Sequence, residues 1–184
     1  MRLFIAIQLS DAIRASLRDT QEQLIRRGVR GNFTSPENLH LTLAFIGEYS
    51  SPDDVLDAMS GVHFMPFPLA LEGFGSCRNL WWAGLSHSAE LDMLTRRLRH
   101  TLSDANIPFD RKRASPHITL IRKAVYDGRG KFPAVSIGPA GMTVDRISLM
   151  RSDRGKHGMI YTELGWTEAE KTSIEHAMDS DSFI

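Results

Sequence analysis

Two short stretches of this sequence carry the same four-residue pattern. His40-Leu41-Thr42-Leu43 and His117-Ile118-Thr119-Leu120 both read His-apolar-Thr-Leu, and they lie 77 residues apart. In an extended strand, residues i and i+2 point to one face, so each His stands beside its Thr, about 6.6 Å along the chain. Leu41 and Leu43, or Ile118 and Leu120, then point to the other face and anchor the strand in a core. Each stretch thus offers an imidazole and a hydroxyl together from a rigid element, a good placement for chemistry.

Two such units facing each other across one cleft would bracket a phosphorus. One imidazole can take a proton from the nucleophile while the other protonates the leaving oxygen. Histidine suits both tasks, because its unperturbed pKa near 6.5 keeps both forms accessible around neutrality. The two threonine hydroxyls can hydrogen-bond the non-bridging phosphate oxygens and orient the phosphate. This arrangement needs no metal. A single His-x-Thr on a strand arises readily as a structural feature; two copies, each followed by Leu in a strand-like run, point to function.

The elements that must hold these residues alternate between strand and helix signals. Residues 3–9 form a compact apolar run with β-branched members, read as a buried strand. Ser10 offers an N-cap to a helix with Ile13, Leu17, Leu24 and Ile25 at helical spacing, and Gly28 can end it. The first motif sits in an alternating strand over 39–46, and Ser51-Pro52-Asp53-Asp54 opens a short second helix. Strands are expected at 68–74 and 80–85. A long helix over 88–105 follows, with Leu91, Leu94, Leu98 and Leu102 on one face and Arg96, Arg97 and Arg99 outside. The second motif lies in a strand over 115–121. Two more strands are expected at 142–150 and 159–164, joined by a loop holding Arg151, Asp153, Arg154, Gly155 and Lys156. This order predicts an α+β fold with largely antiparallel sheets. No low-complexity linker divides the chain, so 1–166 reads as one domain, with 167–184 an acidic tail or frayed helix.

Composition narrows the partners. With 184 residues, 42% apolar and 24% charged, the chain can bury a sizeable core and is unlike disordered or fibrous sequences. Lys+Arg and Asp+Glu are 22 each, so no global positive field draws nucleic acid here; only a local patch can. The single Cys77 forms no intrachain disulfide, which fits a reducing compartment. No apolar run approaches the roughly 18 residues of a membrane span. The opening residues lack a small-x-small cleavage site, which argues against a secretory signal. A cytoplasmic protein with no membrane partner is expected.

With both motifs in view, the chain resembles the 2H phosphoesterase superfamily, and within it the RNA 2′,3′-cyclic phosphodiesterase branch, also called LigT-like or 2′-5′ RNA ligase. The resemblance covers most of the sequence: residues 2–7, the fuller stretch 37–47 around His40, and 115–122 around His117. It implies a bilobal fold with two mostly antiparallel sheets, related by pseudo-twofold symmetry about an open central cleft, with helices on the outer faces. It implies that His40 and His117 are catalytic, His40 the proton donor and His117 the acceptor. The implied substrate is RNA ending in a 2′,3′-cyclic phosphate, left as the 2′-phosphate, with slow reversible 2′-5′ joining as a related activity. No cofactor is implied, and a monomer is expected. Two rivals stand beside this reading: the same site acting on a small cyclic nucleotide, and an RNA-binding module that kept the fold without turnover.

Further residues follow from position. Related enzymes carry an Arg toward the phosphate where this chain has Arg122. Strand parity puts Arg122 opposite His117 and Thr119, so it reaches the cleft only if the strand ends or bulges near Ile121. Phe45 falls on the core side by the same parity, although related enzymes stack a terminal base on an aromatic near here. Trp81 and Trp82 point opposite ways, one to the core and the other available to the cleft; parity does not say which, and Trp82 is the candidate base contact. Between Arg111 and Lys131 there are seven Lys/Arg and one acid, Asp127, so Arg113 lies on a basic rim fit to track phosphates. Arg151 is a candidate RNA contact in the last loop. His63, His87, His100, His157 and His176 show no metal-ligand spacing, and no glycine-rich phosphate loop is present, so neither a metal nor a nucleotide cofactor is expected.

Overall fold

The apolar run near the N-terminus forms β1 (Arg2–Gln8), buried from Leu3 to Ile7 because both faces of the strand are covered. The computed structural model describes residues 1–112 and 115–171. Ser10 caps α1 (Asp11–Arg26), its hydroxyl accepting the Ile13 N–H, and Gly28 follows the helix in the left-handed conformation, φ 86°. The chain continues through β2 (Arg30–Phe33), a 3₁₀ turn (Pro36–Asn38), β3 (His40–Glu48), α2 (Pro52–Ser60), β4 (Phe67–Cys77) and β5 (Leu80–Leu85). Then come α3 (Ala89–Asp104), β6 (Ile118–Val125), β7 (Gly141–Val144), β8 (Arg146–Gly155) and β9 (Gly158–Glu168). The four α3 leucines expected on one face are all buried, worth roughly 1.5–3 kcal/mol each as an upper bound.

Four strands form one sheet in the order β3-β1-β8-β9, and five form another in the order β2-β6-β5-β4-β7. Every described pairing is antiparallel. The expected α+β architecture with two antiparallel sheets is what the chain adopts. The helices lie against the sheets, α3 on β3, α2 on β9 and α1 on β7. One apolar cluster takes Leu3 and Ile5 from the first sheet and Leu69 and Ile118 from the second, so the lobes share a core. Each sheet carries one motif, and β3 and β6 meet where the sheets approach.

Three expectations need correction. The single strand expected over 142–150 breaks at Asp145 into β7 and β8, which belong to different sheets. Val144 and Ile147, on either side, enter the same core, so the apolar pattern runs on through the break and hides it. The loop expected around Arg151 is instead β-structure: β8 reaches Gly155 and pairs with β9 to Gly158, leaving a two-residue hairpin. The domain end placed at residue 166 falls inside β9, and the Ala169 and Glu170 N–H groups still bond the Asp145 and Phe64 carbonyls at 2.7 and 2.8 Å. Of the acidic tail or frayed helix expected over 167–184, residues 172–184 lie outside the described residues. β2 went unread because its short Arg-Gly-Asn-Phe sequence has no apolar alternation. No helix among the described residues is long and apolar enough to cross a membrane.

Candidate active site

His40 opens β3, directly after the 3₁₀ turn, and that turn supplies its first partner. His40 Nδ1 lies 2.6 Å from the Asn38 carbonyl oxygen. A carbonyl only accepts, so Nδ1 carries the proton and Nε2 is left to act. His40 Nε2 stands 3.0 Å from Thr42 Oγ1, the neighbour that strand parity places beside it. His117 repeats the device: Nδ1 donates to the Ser115 carbonyl at 2.8 Å, again two residues before the ring. Both neutral imidazoles therefore have the same tautomer, with Nε2 the nitrogen that carries no proton.

Each ring is also packed. Phe4 lies 4.9 Å from the His40 ring and Tyr161 stands edge-on at 5.3 Å. His117 packs on Trp82 at 5.3 Å, while Trp81 is buried, so Trp82 is the tryptophan available to the cleft. Trp82 can lie where it does because residue 75 is glycine: a Cβ there would fall 2.5 Å from the indole Nε1. Opposite His40 in register stands Gln8, whose amide donates to Glu163 Oε1 at 2.7 Å and to Ser148 Oγ at 3.2 Å. Ser148, fully buried, also donates to Glu163 at 2.6 Å.

Burial pushes the His40 pKa below its ordinary value, against the opposing pull of the Asn38 carbonyl bond. The charges of Arg122, Arg14 and His117 each press it lower. Arg14, on α1, is fixed by donating from Nε to the Leu9 carbonyl at 3.1 Å and from its terminal nitrogen to the Pro36 carbonyl. It therefore braces the turn that carries Asn38.

Both motif strands are irregular at the same place. In β3, adjacent Ile5 and Ala6 of β1 face Ala44 and Thr42, so Leu43 is an extra, bulged residue. In β6, adjacent Trp81 and Trp82 of β5 face Ile121 and Thr119, so Leu120 is extra. Each bulge sits on the Leu of His-apolar-Thr-Leu, and each reverses the parity that follows. Phe45 accordingly pairs with Phe4 and joins Phe4, Ala6 and Met150 on the cleft face, contrary to the core position expected from simple alternation. Arg122 moves to the face of Thr119 by the bulge that its placement required.

Thr42, Phe45 and His117 line a groove of about 1010 Å³ that continues along α3 and residues 109–112. The structure thus brings together His40, Thr42, Phe45, Trp82, His117, Thr119 and Arg122. It does not bring Arg151 to them. Arg151 pairs with Leu3, whose side chain is in the core, and bonds Asp153 at 2.7 Å, because β8 runs on where a loop was expected. Arg113 lies outside the described residues. Sequence reading missed Phe4, Gln8, Arg14, Tyr161 and Glu163. Gln8 was findable, as a polar residue ending an apolar run on the parity of Phe4 and Ala6; Arg14 was not, since both its carbonyl partners depend on the tertiary path.

Comparison with known proteins agrees with this geometry. The LigT-like phosphoesterase family matches residues 7–80 and 85–161, two segments that hold one motif each. The RNA 2′,3′-cyclic phosphodiesterase of Thermotoga maritima is 28% identical over 96% of this chain and 100% of that protein. Its counterpart in Thermus thermophilus is 32% identical over 89% of this chain and 88% of that one. The crystal structure of Escherichia coli LigT in apo form superposes with a TM-score of 0.76 at 26% identity, covering 92% of this chain and 98% of that one. With paired motifs in two facing sheets and a family match over most of its length, the chain belongs to the LigT-like phosphoesterases of the 2H superfamily.

Proposed function

We propose that this protein hydrolyses the 2′,3′-cyclic phosphate at RNA ends to a 2′-phosphomonoester. The observation that carries the reading is the matched anchoring of His40 and His117, each held at Nδ1 by a carbonyl so that Nε2 is the nitrogen left for proton transfer. The relatives named RNA 2′,3′-cyclic phosphodiesterase support the choice of substrate. His117 takes a proton from water as its oxygen bonds to phosphorus. The P–O3′ bond breaks, and His40 delivers its proton to the departing O3′. Thr42, Thr119 and Arg122 hold the non-bridging oxygens. Burial and then the charges of Arg122 and Arg14 disfavour the imidazolium that a donor must be, and a bound phosphate anion would offset those two charges.

Two imidazoles and two neutral hydroxyls lack the carboxylate or third imidazole usual in a catalytic zinc site, which supports a metal-independent reaction. Reversal of the same steps would give slow 2′-5′ joining. The reading takes the chain as a cytoplasmic monomer without a cofactor. Incubation of the protein with a short RNA ending in a cyclic phosphate, in excess chelator, tests it. A 2′-phosphate product is expected. A 3′-phosphate product, no product, or activity only on adding a divalent ion overturns it.

A further inference from the structure

We propose that the groove between α3 and residues 109–112 is the bed for the RNA that precedes the cyclic phosphate end. The inference rests on the reaction proposed above, for it concerns the path of the polymer once its last nucleotide lies between the imidazoles. The groove starts at Thr42 and His117 and is continuous with the cleft. Its far walls carry Arg96 and Arg99 from α3 and Arg111 and Lys112 from the facing segment. The buried leucine stripe of α3 fixes which face is left for these cations.

Their arrangement is built. The Phe109 ring has the Arg99 guanidinium at 5.0 Å and the Arg111 guanidinium at 4.9 Å. Arg99 also donates to the Lys112 carbonyl at 3.5 Å, tying helix to segment. The Asp110 N–H bonds the Phe45 carbonyl at 2.8 Å, which docks the segment on β3 beside the cleft. Guanidinium forks held flat in advance lose less freedom when they meet a phosphate. Among the described residues none of Arg96, Arg99, Arg111 and Lys112 is in an ion pair. Asp92 and Asp110 share the lining, but the Asp110 carboxylate accepts the Lys112 N–H at 3.0 Å. Four cations along one groove, none ion-paired among the described residues, in a chain with net charge +0, form a local track for a polyanion.

The test compares wild type with the double variant Arg96→Gln/Lys112→Gln, both positions being exposed. Two substrates are used, a nucleoside 2′,3′-cyclic monophosphate and an RNA of about ten nucleotides ending in the cyclic phosphate. The variant is expected to lose on the order of tenfold in kcat/KM on the RNA at low salt and nothing on the mononucleotide. Its plot of log kcat/KM against log salt should be shallower by about 1.4, or 0.7 per lost single-strand contact. Unchanged activity on both substrates overturns the groove, and so does an equal loss on both. If wild type opens neither substrate, the proposed reaction fails by itself. The groove is then decided by anisotropy of a labelled RNA of the same length, where roughly tenfold weaker binding by the variant supports it and equal binding overturns it.

Discussion

Phe45 and Arg122 occupy matching places in the two halves of the cleft: each lies three residues after a motif threonine, turned cleftward by a bulge at the motif leucine. An unbroken strand would turn both away. The fourth residue of His-apolar-Thr-Leu is therefore more than a core anchor; it marks where each strand changes face. The cleft obtains an aromatic ring from one half and a guanidinium from the other by the same backbone irregularity.

His40→Ala and His117→Ala should each lower turnover by a factor on the order of 10² or more while keeping cooperative unfolding. Thr42→Ala and Thr119→Ala should cost less, about 1–3 kcal/mol in transition-state binding. A substrate with sulfur in place of the 3′ oxygen separates the two histidine roles, since a thiolate leaves without a proton donor. His40→Ala should regain most of its lost rate on that substrate and His117→Ala none. Rescue of the second variant in place of the first would reverse the assigned polarity.

Gly75→Ala probes how His117 is seated. The added methyl would meet the Trp82 indole at 2.5 to 2.8 Å, and the ring behind which His117 packs has to move. The variant should be destabilised by about 1–3 kcal/mol in urea unfolding. Its kcat should fall more than its KM rises, because the displaced group is the proposed base, His117. Gly73→Ala is the control for strain alone: it has φ 80° and open space where a Cβ would go, so it should lose stability and keep kcat.

Stability should depend on pH through His40. Its pKa is lower in the folded chain than the ordinary 6.5, so the unfolded chain binds more protons just below that value. The stabilising contribution is complete above the ordinary value and is lost as pH falls through the folded one. Urea titrations from about pH 7.5 to 5 should show wild type losing stability more steeply than His40→Asn. Parallel curves would mean that His40 is not titrating differently in the two states.

Most of this architecture could be read from residue patterns. The cap at Ser10, the leucine stripe of α3 and the alternation around both motifs are local signals, and each marks an element, although β6 runs from Ile118 to Val125 where 115–121 was expected. What escaped was non-local. Nothing between Met142 and Met150 announces that β7 and β8 join different sheets, because both flanks of Asp145 are wanted by one core. Phe45 was misplaced because alternation assumes one residue per rung, whereas partner strands impose two at Leu43. Arg14 meets His40 only through the path of the chain from Pro36 to Asn38.

The twin bulges also bear on regiochemistry. A cyclic phosphate offers two ester oxygens that differ little in chemistry, and the Nδ1 anchors of His40 and His117 are so alike that they mark neither ring as donor. The base, by contrast, lies to one side of the ribose only. In the proposed reaction Phe45 and Arg122 would supply a handedness, one favouring the flat base and the other the charged phosphorus. The choice between the two ester bonds would then rest on the side from which Phe45 and Arg122 meet the substrate.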